Sequence, residues 1–304
     1  MKAPEYIHPP IEKSVLKKEL TKERFVRSTG KGENEVYIFT GDEAPNLLKE
    51  VGRLREWSFA LAGGGTGKPL DLDDQDRGEK AYSQLIVWSP EEEEIVGGYR
   101  FIDCKDIGKD EIDQALSTSH YFKFSSSFIS DFLPYTIELG RSFVQPAFQP
   151  NIDPRKGIFA LDNLWDGLGA IVNTHPHMKY FFGKVTMYTD YNREARNAVL
   201  AFMHHYFPDG DGLVKPVQPL PYEEDSEFIS ALEGSDFKDG LRLLTKYCKE
   251  RKEMVPPLIK NYMQLSPSMK TFGTFMNKDF GKVEETGILV TIEDIYPDKK
   301  ERYL

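Results

Sequence analysis

The sequence predicts an α/β fold in which a mixed central sheet is flanked by helices, and three observations predict it. Segments of strand-like patterning recur between segments of helical periodicity. The centre of the chain passes from a strongly strand-like stretch, residues 135–144 (YTIELGRSFV), into a strongly helical one, residues 157–172 (GIFALDNLWDGLGAIV). Strand and helix then alternate again over residues 180–187 and 192–206, the order of a layered α/β sheet.

Residues 1–34 read as an N-terminal extension, with sparse apolar residues and dense charge between 12 and 27. Residues 35–40 (EVYIFT) form a short strand ending at Gly41. A helix follows, opened at Asp42 or at the Ala44 and Pro45 pair. Its apolar residues Leu47, Leu48, Val51, Leu54, Trp57 and Phe59 recur at near-helical spacing until the glycines at 63 to 65 stop it. Residues 82–88 (YSQLIVW) and 95–102 (IVGGYRFI) flank a turn with Pro90 and four glutamates, the pattern of an antiparallel hairpin. Three prolines between residues 214 and 221 mark a linker, followed by helical segments over 223–253 and a final strand at 287–292. The core domain is thus placed at residues 35–213. Residues 214–304 are a helical extension with a final strand, read as a lobe of the same domain.

The chain has 304 residues, 39% hydrophobic and 12% aromatic, enough for the core of an ordinary globular enzyme. No run of eighteen apolar residues occurs, and residues 1–10 carry prolines and mixed charge where a secretory signal needs an apolar stretch, so a cytoplasmic protein is expected. The two cysteines, Cys104 and Cys248, are far apart, which suggests neither a disulfide framework nor a zinc site. A net charge of −10 repels nucleic acid. An anionic partner needs a local basic patch, and two clusters offer one: Lys246, Lys249, Arg251 and Lys252, and Lys17, Lys18, Lys22, Arg24 and Arg27. Both also read as solvated helix faces.

Several tempting motifs fail on chemistry. Residues 63–68 (GGGTGK) resemble a phosphate-binding P-loop, but Ala62 stands where the first glycine belongs, Pro69 replaces the required Ser or Thr, and the segment follows a helix instead of a strand. Asp71, Asp73, Asp74 and Asp76 lack the turn glycine and closing glutamate of a calcium loop. His175, His177, His204 and His205 do not form a metal-ligand spacing, and no metal is expected. With no GxSxG elbow and no Cys-His neighbour, direct attack by a bound substrate is preferred over a covalent enzyme intermediate.

The informative segment is ELGRSFVQPAFQPNIDPRKGIFALDNLW. A strand bearing Glu138 and Arg141 runs into a loop with Arg155, Lys156 and Gly157 that opens a helix, and a basic, glycine-containing approach to a helix N-terminus suits a phosphate of an acyl donor. This segment resembles the acyl-donor motif of the GNAT superfamily. Over roughly residues 35 to 295 the chain resembles the hemolysin-like family that includes the N-acyltransferases of ornithine and glycine lipid synthesis, and it is similar to acyl-homoserine-lactone synthases. The resemblance rests on Arg55 and Phe59 in REWSF, on Asp71, Asp73 and Asp76, on Arg100 in GGYRF, on Glu138 and Arg141 in ELGR, on LWDGL, and on the tail PPLIKNYMQLSP with MNKDFGKVEETGILVTI. The chain departs from the motif at an Asn-Ile-Asp-Pro insert before Arg155 and at Gln149, where arginine is common.

The resemblance implies a GNAT fold and an N-acyltransferase that moves a long-chain (3-hydroxy)acyl group from an acyl carrier protein or CoA thioester to the amine of glycine or ornithine in aminolipid synthesis. No permanently bound cofactor is implied; the thioester is a co-substrate. Acyl carrier protein is the implied partner, with the amino-acid acceptor and a transient contact with the inner membrane surface. A neutral amine attacks the thioester, so a base, oxyanion donors and placement are needed. Glu138 is the candidate base, directly or through water. Residues three apart in a strand face opposite ways, so Glu138 and Arg141 share a site only across a bulge, which the resembled fold has; it leaves backbone NH groups near Phe143 and Val144 to polarise the carbonyl. Glu138 and Arg141 equally suit structural ion pairs. Arg55, Asp71, Asp73, Asp76 and Arg100 form the substrate side, the acids either orienting the amine or holding the arginines. Tyr191 is the candidate proton donor for the leaving thiol, or a packing residue. Phe122, Phe124, Phe128, Trp165 and Phe181 are candidate linings of an acyl tunnel. Two rival readings are a small-acyl, CoA-dependent acetyltransferase and a non-catalytic GNAT-like domain that binds an acyl ligand or lipid.

Overall fold

The structure, a computed structural model, describes residues 2–149, 152–157 and 159–303. Helix α1 (Lys13–Glu19) leads into the short strand β1 (Phe25–Ser28) and then β2 (Glu35–Phe39). Helix α2 (Pro45–Leu61) starts with a proline in its first turn, where the missing N–H costs no hydrogen bond, and buries the stripe Leu47, Leu48, Val51 and Leu54. The hairpin β3 (Ser83–Ser89) and β4 (Glu94–Asp103) follows, then α3 (Ile112–Ala115) and β5 (Phe122–Phe124). The central strand β6 (Thr136–Val144) passes through α4 (Pro154–Gly157) to α5 (Ala160–Thr174), and β7 (Tyr180–Met187) to α6 (Arg193–Tyr206).

The last part of the chain contains β8 (Val214–Pro216), α7 (Ser226–Glu233), α8 (Phe237–Glu250), α9 (Pro257–Met263), β9 (Lys270–Asn277), β10 (Val283–Thr291) and α10 (Pro297–Tyr303). The helical segments expected over 223–253 are α7 and α8, which separate at Gly234 because Asp225 and Asp236 each cap a new helix with their side chains. Two strands close the sheet where one was expected. In β9 (KTFGTFMN) the threonines and asparagine face inward among buried partners, so its polar residues obscured the strand pattern.

Eight strands form one sheet in the order β1-β2-β3-β4-β6-β7-β10-β9, all neighbours antiparallel except β6 and β7. Alternation divides its faces. Val36, Leu85 and Val87 pack with α5 and α6 in the larger core, while Tyr37, Phe39, Ile86 and Trp88 pack under α2. A third cluster, with Phe122, Phe128, Phe182 and Phe272, lies beneath the small β5-β8 sheet.

Two local irregularities shape the centre. The parallel β6-β7 ladder covers only Thr136 with Tyr180, Ile137 with Phe181 and Glu138 with Phe182; beyond Glu138, β6 stays with β4 and β7 with β10, so the two strands part. On the other edge of β6, Gly98 faces Phe143 while Arg100 faces Gly140, which inserts one extra residue into β6. Arg141 takes the strain with φ of 52°, a left-handed backbone that costs a non-glycine residue about 1–2 kcal/mol. Gly97 makes room for β6 beside the bulge, since a Cβ there would lie 2.4 Å from the Phe143 carbonyl oxygen, and Gly98 lets β3 approach from the other side, its Cβ position being 2.3 Å from the Leu85 carbonyl oxygen.

The glycine run after α2 binds its own carboxylate. Glu56 accepts the backbone N–H groups of Thr66 and Gly67 at 2.8 Å, the Thr66 hydroxyl at 2.8 Å and the Tyr6 hydroxyl at 3.0 Å. The N–H groups of Thr66 and Gly67 are therefore not open to a phosphate.

Candidate active site

The parting of β6 and β7 opens a cavity of about 750 Å³. Its wall is built from Leu139 to Ser142 on β6, Lys184, Thr186 and Met187 on β7, Asp73 to Gln75 of the acidic loop, Ser117, His120 and Tyr121, and the segment from Glu253 to Leu258. A small apolar branch shares Leu139 to Ser142, Lys184 and Leu258 with it and runs inward to Tyr99, Phe181, Phe182, Tyr262, Ile288 and Val290. One end of the site is thus charged and the other apolar. Of the five aromatics expected to line a tunnel, only Phe181 reaches this branch; Phe122 and Phe124 meet Phe182 edge to face and Phe128 meets it at a tilt in the third cluster, and Trp165 packs on Tyr262 and Tyr303.

Behind the wall, the acids and arginines form one network. Arg55 is 1% exposed and bonds Asp71 Oδ2 at 3.0 Å, Asp76 at 3.1 and 3.2 Å, and the Asp71 carbonyl. Arg100 bonds Asp73 at 2.6 Å, lies 3.3 Å from Asp76 and stacks 4.9 Å from the Tyr82 ring. Arg141 contacts Asp71 at 3.0 Å and Asp73 at 3.5 Å, with its guanidinium 4.7 Å from the Phe280 ring. Burial opposes ionisation of Asp76, but the Arg55 and Arg100 charges outweigh it and hold the carboxyl well below the usual range. Burial likewise works against the Arg100 charge, and Asp76 and Asp73 overcome it, so its pKa is raised. Arg55, Asp71 and Asp76 stand one layer behind the surface; Asp73, Arg100 and Arg141 line it.

The bulge turns Glu138, Gly140 and Arg141 toward the same side of the sheet, where Arg100 packs over Gly140. Glu138 is fully buried and does not itself line the cavity. Tyr82 and Ser117 donate to its Oε1 at 2.6 and 2.7 Å, and Thr118 donates to Oε2 at 2.6 Å. Burial first, and then the neighbouring Glu138 charge, push the Tyr82 hydroxyl well above its ordinary pKa, so it remains a donor.

Of the expected oxyanion donors, Phe143 is paired with Gly98 on β4 and buried. Gln145 donates its N–H to Val96 on β4, and alternation then points Val144 N–H to the opposite edge, where β7 has departed; the Val144 carbonyl on that edge accepts from Gln149 Nε2 at 3.0 Å. Gln149, noted for replacing an arginine, thus braces the open edge. Gly157 ends α4, while the side chains of Arg155 and Lys156 lie outside the described residues. Tyr191 lines the cavity, but its hydroxyl donates to the Met254 carbonyl at 2.8 Å.

Sequence reasoning missed three residues of the wall. Lys184 forms a 2.8 Å pair with Glu285, which also accepts from Asn277 Nδ2 at 2.8 Å, and sits 4.5 Å from the Tyr121 ring. A lone lysine interrupting the apolar strand YFFGKVTM is the signal that could have found it. Tyr188 also lines the cavity, and its hydroxyl makes no hydrogen bond among the described residues; burial, then Glu285, raises its pKa. Ser117, within STSH, gave no periodic signal.

A bulged central strand carrying an acid and an arginine beside a split parallel pair defines a GNAT-type N-acyltransferase, and the acetyltransferase (GNAT) domain family matches residues 54–152. The chain is 47% identical over 302 residues to a glycine N(alpha)-acyltransferase of Phocaeicola vulgatus, covering 99% of this chain and 93% of that one. It is 48% identical to a glycine N(alpha)-acyltransferase of Bacteroides thetaiotaomicron, covering 99% and 90%. It belongs to this family of N-acyltransferases. A solved N-acyl amino acid synthase, FeeM from uncultured soil microbes, aligns with TM-score 0.40 at 6% identity, covering 87% of this chain and 95% of that one. No helix among the described residues is long and apolar enough to cross a membrane.

Proposed function

We propose that this enzyme transfers a long-chain, 3-hydroxylated acyl group from a carrier-protein thioester to the α-amine of glycine, forming an N-acyl amino acid for aminolipid synthesis. The observation that carries the reading is the cavity at the β6-β7 split, charged on one side and sharing its wall with a small apolar branch of about 50 Å³ on the other. The relatives' names favour glycine over ornithine as acceptor. The thioester arm enters between β6 and β7, with its carbonyl oxygen toward Val144 N–H and its chain toward Phe181 and Tyr262. Glycine's carboxylate meets Lys184, whose ammonium has protons to spare beyond the one on Glu285. Glu138 is the base, and the arginine network fixes Arg141 and Asp73 at the wall. Tyr188, with its unshared hydroxyl, is a better donor to the leaving thiolate than Tyr191.

A carrier protein is preferred to free CoA because an open groove of about 500 Å³ is lined by Lys238, Arg242, Lys246 and Lys249 of α8 and Lys260 of α9. The four α8 residues are three or four apart and share one helix face. On a chain of net charge −10, that stripe suits an acidic partner. α9 joins the two regions: Leu258 lines the cavity and Lys260 the groove. An amphiphilic product fits a cytoplasmic protein working at the inner membrane surface. Purified protein incubated with a long-chain 3-hydroxyacyl carrier-protein thioester and mixed amino acids, read by mass spectrometry, tests the reading: N-acylglycine supports it, and acetylated product from acetyl-CoA alone favours the small-acyl alternative.

A further inference from the structure

Glu138 is the acid this chemistry needs, yet it has no surface of its own in the cavity. It is fully buried, and Leu139 to Ser142 form the wall on its strand. Three hydroxyls occupy its carboxylate. Tyr82 and Thr118 are buried at 0% and 1% exposure, and neither lines the cavity. Ser117 is half-buried and does line it, with Oγ 2.7 Å from Glu138 Oε1. The Ser117 backbone N–H donates to the Tyr82 hydroxyl at 2.9 Å, and that hydroxyl donates to the same Oε1, so serine and carboxylate are tied together at two points. A serine hydroxyl donates one proton and keeps lone pairs for another donor. With its proton directed at Glu138, its lone pairs are left for a group in the cavity.

We propose that Ser117 is a catalytic proton relay, the bridge by which a substrate amine reaches Glu138. The proposal rests on the reading of Glu138 as the base. The neutral amine attacks the thioester carbonyl, forming the C–N bond and a tetrahedral adduct with a positively charged nitrogen. That nitrogen gives a proton to Ser117 Oγ while the Ser117 proton passes to Glu138 Oε1. The C–S bond then breaks with its electron pair on sulfur, the thiolate takes a proton from Tyr188, and Glu138 returns its proton through Ser117 and cavity water to Tyr188. The sum is amide plus thiol, with the serine and both acids restored.

The test is steady-state kinetics with a long-chain 3-hydroxyacyl carrier-protein thioester and glycine for the wild type, Ser117→Ala, Ser117→Thr, Glu138→Gln and the double variant Ser117→Ala/Glu138→Gln. The relay predicts that Ser117→Ala lowers kcat about a hundredfold, the scale of a lost general-base path, with the KM for glycine unchanged. It predicts that Ser117→Thr, which keeps the hydroxyl, recovers most of the rate, and that the double variant is no slower than Glu138→Gln. If Glu138→Gln is slow and Ser117→Ala runs at the wild-type rate, the base reading stands and the relay is wrong. If both run at the wild-type rate, the base reading itself fails. A loss in Ser117→Ala that Ser117→Thr does not recover, with a lowered thermal midpoint, makes Ser117 structural and also overturns the relay.

Discussion

Arg100 Nη1 lies 2.6 Å from Asp73 Oδ1, joining a guanidinium that is 2% exposed to a carboxylate on the cavity wall. Removing Arg100 takes one of two cationic partners from each of Asp73 and Asp76, leaving Arg141 beside the first and Arg55 beside the second. Arg100→Met should therefore lower stability, by less than the roughly 3–5 kcal/mol of a fully uncompensated buried charge, read from the midpoint of urea unfolding, and should abolish activity even where the protein remains folded.

The same network sets the acid limit of the fold. Arg55 and Arg100 hold the Asp76 carboxyl below the usual range against the effect of burial. An unfolded aspartate titrates near about 3.9, so the unfolded chain takes up this proton first and acid favours unfolding. The stabilisation is complete above about pH 5 and is lost as pH falls through 4 toward the folded value. Urea midpoints measured from pH 7 to pH 3 should fall steeply at the acid end. Asp76→Asn should be less stable at pH 7 and respond less to acid.

Glycine's carboxylate is assigned to Lys184, which gives a test by substrate. Lys184→Met should raise the KM for glycine about tenfold or more, a loss of about 1.4 kcal/mol, and leave the KM for glycinamide, which has no carboxylate, much less affected. Equal increases for both acceptors would remove Lys184 from the acceptor site.

The bulge depends on missing side chains at its neighbour strand. A Cβ on Gly97 would sit 2.4 Å from the Phe143 carbonyl oxygen, so Gly97→Ala must push β6 away from β4. Overpacking of this kind costs about 1–3 kcal/mol. Calorimetry should record the lower stability, and kcat should fall further than stability does, because Arg141 and Val144 shift with the strand.

Carrier-protein docking predicts sensitivity to charge and salt. Lys246→Glu with Lys249→Glu should raise the KM for a carrier-protein thioester about tenfold while a CoA thioester is used as before, and added salt should mimic the variant. Unchanged kinetics with both donors would leave the groove without a partner.

The main strands and helices from β2 to α6 were legible because residues 135–144 and 157–172 carry clear patterns of strand and helix and α2 has an unbroken apolar stripe, whereas the short α1, β1, α3 and β5 were not. β9 was not, since its inward threonines and asparagine find partners only in the folded sheet. In the site, Arg55, Asp73, Arg100 and Arg141 stand out as charges inside apolar or acidic motifs, and the structure brings them together. Ser117 and Tyr188 are single polar residues in irregular segments, placed by contacts more than twenty positions away with Glu138 or by the turn after β7, and nothing local marks them.

The most direct test compares kcat/KM for glycine and ornithine with one long-chain 3-hydroxyacyl carrier-protein thioester, using purified wild-type enzyme. The glycine reading predicts N-acylglycine as the main product and a kcat/KM for glycine well above that for ornithine. Acylation of ornithine alone, or no long-chain transfer to either amine, would contradict it.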